Sequence, residues 1–207
     1  MLTNTQIESL AKRMNVPLEG VFFKSQLKEI KMKPNRSYII NLEDEFDEDG
    51  NRNDGSHYTC FQYNKYPVGS DQSVYLDSFG VAPPQEVLDF CGVKKMPYNI
   101  IDIQSLMNSA CGWYCLAFLH FINVWTGRSK DLYYDCTHFT SLFEDLNKST
   151  DWKKNEVILK QFFKSPNDKG VDSPESVGFK WIPLPDDEGK SVAAGIANIN
   201  TIDSEQK

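Results

Sequence analysis

The sequence predicts an α+β fold: a mixed, largely antiparallel central sheet with one helix buried against it and further helices on its flanks. Three observations carry this. Two neighbouring segments, SHYTCFQYN and SVYLDSFG, are rich in aromatic and β-branched residues, and the link KYPVGSDQ makes a hairpin their simplest connection. The run from Ala110 to Trp125 is apolar on nearly every side, which marks a buried helix. The order of patterns along the chain is helix, several strands, helix, strand, then helices.

Taken in order, Thr5 to Met14 carries Ile7, Leu10, Ala11 and Met14 at helical spacing, and Thr5 with Glu8 reads as its capping box. Residues 24 to 36 are locally basic and read as a solvated face; SYIINL then has strand composition. From 43 to 49 six carboxylates occupy seven positions, ahead of a Gly/Asn/Asp loop, and this is a solvated connection; the ligand spacing of a calcium-binding loop is absent. After the hairpin, PPQEVLDFCG predicts a short helix, with proline in its first turn and Gly92 past its end. YNIIDI has strand composition. The buried helix follows, ending at Gly127, with further helices expected around 131 to 146 and 151 to 163.

With 207 residues and 40% apolar content, the chain has material for one well-buried core. The formal net charge of −7 argues against a partner held purely through phosphate neutralisation. The N-terminus lacks a secretory pattern, and the apolar run is short for a membrane span and broken by His120 and Asn123. Five scattered cysteines do not form a disulfide framework, so the expected compartment is reducing. From about Ser165 the texture becomes rich in Pro, Gly and acidic residues. The expected organisation is therefore a domain over 1 to 164 and an extended tail over 165 to 207, in which GFKWIPLP is apolar enough to dock.

A thiol becomes a nucleophile when a helix N-terminus and an imidazole stabilise its thiolate. Cys111 stands at such a helix start, and Gly112 beside it leaves room for a substrate backbone. Of the three histidines, His120 and His138 fall in helices downstream, whereas His57 opens a strand and is the better base. Asp77 on the neighbouring strand is the natural carboxylate to orient it. Gln104 offers a side-chain amide for the oxyanion if residues 105 to 110 fold back over the helix start. Cys115, one turn below Cys111, reads as packing. A zinc site from Cys111, Cys115, Cys136 and His138 fits known ligand spacings poorly, and no metal or cofactor is expected.

His57 in SHYTCF, Asp77 in YLDSFG, and Gln104 seven residues before Cys111 in QSLMNSACGWYCLAFLHF together resemble the adenovirus-type maturation proteases. This family comprises adenain and relatives in virophages and virus-like transposons, within the wider clan of SUMO-specific cysteine proteases. The likeness covers roughly residues 3 to 145. It implies Cys111 as nucleophile, His57 as general base and then acid, Asp77 as orienter and Gln104 in the oxyanion hole, with Tyr58 where an aromatic commonly follows the family histidine. It further implies cleavage of capsid or other structural precursor proteins during virion maturation, in the virion and infected cell; a monomer with no membrane attachment is expected. DNA and peptide activators belong to the family, but the acidic charge argues against carrying DNA activation over. Two other readings are an isopeptidase acting on ubiquitin-like modifiers and a catalytically silent capsid-associated protein.

Overall fold

A computed structural model describes residues 2–53, 55–66, 71–125 and 131–163. Helix α1 (Asn4–Arg13) leads into strand β1 (Leu18–Phe23), a 3-10 turn at Lys24–Glu29 and strand β2 (Arg36–Asn41). Strands β3 (Tyr58–Asn64) and β4 (Gln72–Leu76) are followed by helices α2 (Gln85–Cys91), α3 (Cys111–Trp125), α4 (Leu132–Thr140) and α5 (Trp152–Gln161). The four strands form one sheet in chain order, with β1 and β2 parallel and the other two pairs antiparallel. The α+β class read from the sequence is the class that forms, and β3 and β4 are its expected hairpin partners.

Both faces of the sheet are covered. Ile39, Tyr58, Cys60, Val74 and Leu76 point into one core with α1, α3, α4 and α5. The alternate residues Tyr38, Ile40, Phe61 and Tyr75 point into a second core with the 3-10 turn and α2. Side chains alternate across a strand, so a strand buried on both faces reads as a continuous apolar run, as SYIINL does. Helix α3 is apolar all round because it lies between the sheet and the other helices, and Trp113, Tyr114, Phe118 and Phe121 are all buried. Among the described residues, no helix is long and apolar enough to cross a membrane.

Several expectations are corrected. The α1 capping box is Thr3 with Gln6 rather than Thr5 with Glu8: Thr3 Oγ1 accepts the Gln6 N–H at 3.3 Å and Gln6 Oε1 accepts the Thr3 N–H at 2.9 Å. Both pairs fit the motif, but starting at Thr3 puts Leu2 and Ile7 in staple positions, and both are buried. Strand β1 was not among the expected elements: it carries no clean alternation, and its register with β2 shifts between Leu18 and Gly20. The basic segment 24 to 36 is more than a solvated face, since it begins with the 3-10 turn that buries Leu27.

YNIIDI is not a strand. Only Tyr98 bridges Tyr75, and the Asn99 side chain takes over the pairing beyond it, accepting the Asp77 N–H at 3.0 Å and donating to the Asp77 carbonyl at 2.6 Å. Helix α4 stops at Thr140. Its expected continuation is a turn gripped by Asn155, which accepts the Glu144 N–H at 2.7 Å and donates to the Glu144 carbonyl at 2.8 Å. The proposed tail, 165 to 207, lies outside the described residues.

Candidate active site

His57 immediately precedes β3 and Asp77 immediately follows β4. Because these strands are antiparallel neighbours, the start of one and the end of the other lie at the same end of the sheet. His57 Nε2 and Asp77 Oδ1 are 2.9 Å apart. Cys111 is the first residue of α3 and lies close enough to His57 to help raise its imidazole. Asp77 is buried and His57 nearly so, with 15% of its side chain exposed.

The segment Asp77-Ser78-Phe79-Gly80 assembles much of the site by itself. Asp77 Oδ1 also accepts the Phe79 N–H at 2.8 Å, which holds the carboxylate in place under His57. The Phe79 ring stacks on the imidazole with centroids 4.7 Å apart. Ser78 donates its hydroxyl to Gln104 Oε1 at 2.8 Å. Gly80 closes the turn onto the Asp77 carbonyl with φ +71°, and a Cβ there would sit 2.9 Å from the Ile100 carbonyl carbon, so the position requires glycine on both counts.

Gln104 is buried, and its amide is oriented at both ends: Oε1 accepts from Ser78, and Nε2 donates to the Asn108 carbonyl at 3.1 Å. That contact closes the chain from Gln104 to Asn108 on itself. An amide nitrogen carries two hydrogens, so one remains for a ligand. The Ala110 carbonyl turns into the helix, accepting the N–H groups of Trp113 at 2.9 Å and Tyr114 at 3.0 Å. In a trans peptide the N–H points opposite to the C=O, so the Cys111 N–H faces out of the helix start. The Cys111 N–H is thus a donor of the kind that stabilises an oxyanion on a carbonyl attacked at the thiol.

Gly112 packs against the start of α1. A Cβ on it would meet Ile7 Cδ1 at 3.2 Å and Leu2 Cδ1 at 3.4 Å, so its small size lets α3 pack on the start of α1. Beside it, a cleft of about 510 Å³ lined by Leu2, Asn4, Phe23, Arg52, Gly55 and Tyr58 opens at the same end of the sheet as His57. Phe23, Asn41 and Tyr58 are successive cross-strand neighbours there. The Tyr58 hydroxyl donates to Asn4 Oδ1 at 2.6 Å and ties the floor of the cleft to α1.

Cys115 packs as expected. It is buried, its thiol donates to the Tyr58 carbonyl at 3.5 Å, and burial pushes the thiol well above its ordinary range. Among the described residues no group of three or more His, Cys, Asp or Glu side chains is placed to hold a metal ion. Sequence reasoning missed Ser78, Phe79, Asn99 and Asn108. Their types carry no chemical signature, and only the short distance from Ser78 to Asp77 hinted at a role.

The histidines differ sharply. Burial disfavours a charged His57, but hydrogen bonds to Asp77 and Cys111 and the Coulombic pull of both outweigh it and lift the imidazole to about 9. His120 is buried in α3 with Nδ1 2.9 Å from the Met14 carbonyl oxygen, and burial lowers it to about 4. His57 therefore contributes stability in full below about 6.5, its unfolded value, and that contribution is lost as pH rises through about 9. For His120 the unfolded chain protonates first, so stability falls as pH drops from about 6.5 toward 4. Thermal unfolding across pH should show a maximum near 6.5, and His57→Ala should flatten the alkaline decline. An unchanged alkaline limb in that variant would contradict the assignment.

No family model and no curated protein sequence matches this chain. A solved structure, the crystal structure of HopZ1a in complex with IP6, aligns with 70% of this chain at 11% identity and a TM-score of 0.42. The chain spans about half of that neighbour, covering 52% of its length.

Proposed function

We propose that this protein is a cysteine endopeptidase that cleaves capsid or other structural precursor proteins during virion maturation, through Cys111, His57 and Asp77 with an oxyanion hole that includes Gln104. The observation that carries the reading is the pairing of His57 Nε2 with the buried Asp77 carboxylate at 2.9 Å, with Cys111, the first residue of α3, close enough to help raise the imidazole. The viral substrate class rests on the resemblance to the adenain family over residues 3 to 145.

In this reading His57 holds the thiol's proton and Cys111 acts as thiolate, supported by the imidazolium and by the positive end of α3. The sulfur attacks the scissile carbonyl carbon, and the negative charge moves to oxygen between the Cys111 N–H and the free N–H of Gln104. Collapse breaks the C–N bond as His57 delivers its proton to the leaving amine. His57, now neutral, removes a proton from water, which attacks the thioester. Breaking the C–S bond releases the acid and restores the ion pair. Asp77 keeps the imidazole oriented throughout. The cleft lined by Leu2, Asn4 and Tyr58, at the same end of the sheet as His57, gives an extended polypeptide a place to lie.

The test is to incubate the protein with capsid precursors of its source and, separately, with a ubiquitin-like fusion, with Cys111→Ala as control. Cleavage of the precursors alone supports the maturation reading, cleavage of the fusion alone replaces it with the isopeptidase, and cleavage of neither favours the silent capsid-associated protein. Within the proposed mechanism, Gln104→Ala should lower kcat by about 10² to 10³ with little change in KM, because the donor acts on a charge present only in the transition state. A near-normal kcat would remove Gln104 from the oxyanion hole.

A further inference from the structure

We infer that Glu156, on helix α5, is a positioning residue for the oxyanion donor Gln104, acting through Asn108; this rests on the proposed cysteine-protease reading. Gln104 has one amide hydrogen committed to the Asn108 carbonyl, at 3.1 Å. The direction of its second hydrogen is therefore set by where that carbonyl stands. Asn108 is itself held by all of its other polar groups. Its N–H donates to the Ser105 carbonyl at 3.2 Å, and its Oδ1 accepts the Ala110 N–H at 3.3 Å. Its Nδ2 donates to Glu156 Oε1 at 2.8 Å.

The first two of these bonds are local to the loop and move with it. The third is different, because it anchors the loop to a separate helix whose buried face packs into the core through Ile158 and Leu159. The preceding residue, Asn155, donates to the Ile103 carbonyl at 3.0 Å, immediately before Gln104. Helix α5 thus grips the oxyanion loop on both sides of Gln104 with two consecutive side chains. Of the two, Asn155 is fully buried and also secures the turn at Glu144, a structural duty. Glu156 is partly exposed, and its hydrogen bond to Asn108 spans 48 residues in sequence. A loop that carries exposed Leu106 and Met107 at its tip has little packing of its own, so loss of this anchor frees the Asn108 carbonyl to drift. A misaimed donor weakens the transition state more than the bound substrate.

The experiment compares Glu156→Ala, Glu156→Gln, Asn108→Ala, Gln104→Ala and the Glu156→Ala/Gln104→Ala double variant with the wild-type protein. Turnover of N-acetylglycine p-nitrophenyl ester reports acyl transfer, and alkylation of Cys111 by iodoacetamide reports thiolate chemistry that forms no oxyanion. Glu156→Ala and Asn108→Ala should each lower kcat about 10-fold at similar KM while leaving the alkylation rate within about 2-fold. Glu156→Gln retains an acceptor oxygen for Asn108 and should restore most of kcat. In the double variant the Glu156 change should add nothing to the loss already caused by Gln104→Ala, since a residue acting through another is silent once that one is gone. An unchanged kcat in Glu156→Ala, a parallel fall in alkylation, or full additivity in the double variant overturns the inference while leaving a functional Cys111 in place. Ester turnover that survives Cys111→Ala, or is absent from the wild type, overturns the protease reading and this inference with it.

Discussion

Replacing Cys111 by alanine should abolish turnover, a loss on the order of 10⁶-fold in kcat by analogy with triad nucleophiles elsewhere. Alanine offers no atom to bond the carbonyl carbon, and neither His57 nor Gln104 supplies one. The thiol is buried, with 2% of Cys111 exposed, yet the fold loses only one sulfur and its packing, about 1 kcal/mol. The variant should therefore fold with a melting temperature within several degrees of the wild type. Cys111→Ser separates geometry from chemistry: its hydroxyl occupies nearly the same place but does not ionise beside an imidazole, so it should be almost as inactive. Precursor cleavage followed by gel and mass analysis reads both variants. Persistence of cleavage in either one would place the nucleophile elsewhere.

Asp77→Asn should cost on the order of 10² to 10⁴ in kcat, the range set by the equivalent change in a serine-enzyme triad. The carboxamide has the carboxylate's shape but not its charge. In the native site Asp77 Oδ1 accepts from both His57 at 2.9 Å and Phe79 at 2.8 Å. An asparagine can keep the Phe79 bond with its oxygen, but its charge no longer stabilises the imidazolium. His57 should then fall from about 9 toward its ordinary 6.5. Less imidazolium means less thiolate at neutral pH, so the Cys111 alkylation rate should fall together with kcat. This distinguishes Asp77 from Gln104, whose loss should leave alkylation intact. Titration of the His57 ring followed by NMR measures the shift directly, and an unchanged midpoint would show that Asp77 is not what raises it.

The parts of the site that were legible in the sequence are those whose chemistry is rare. Cys111 ahead of a long apolar run marks both the proposed nucleophile and a helix start, and only three histidines compete to serve it. Asp77 followed by Ser-Phe-Gly was recognisable as a block, but the division of labour inside it was not. Ser78, Asn99 and Asn108 are common loop residues, and what they do depends on partners 22 to 48 positions away. Strand β1 went unread, and the end of α4 was misread, for a related reason. A glycine-containing edge strand has weak periodicity, and an Asn155 side chain can replace the last helical turn without leaving any local signal.

The sequence by itself determined the α+β class and the apolar burial of α3, and it singled out the four residues proposed for the reaction. Periodicity, charge and reactive side chains are local properties, and they survive without knowledge of the fold. The tertiary structure alone decided that β3 and β4 bring His57 and Asp77 to one end of the sheet, that Gly112 packs on the start of α1, and that α5 holds the Gln104 loop. Those outcomes depend on hydrogen bonds and contacts between distant segments, whose geometry is fixed only when the core closes around them.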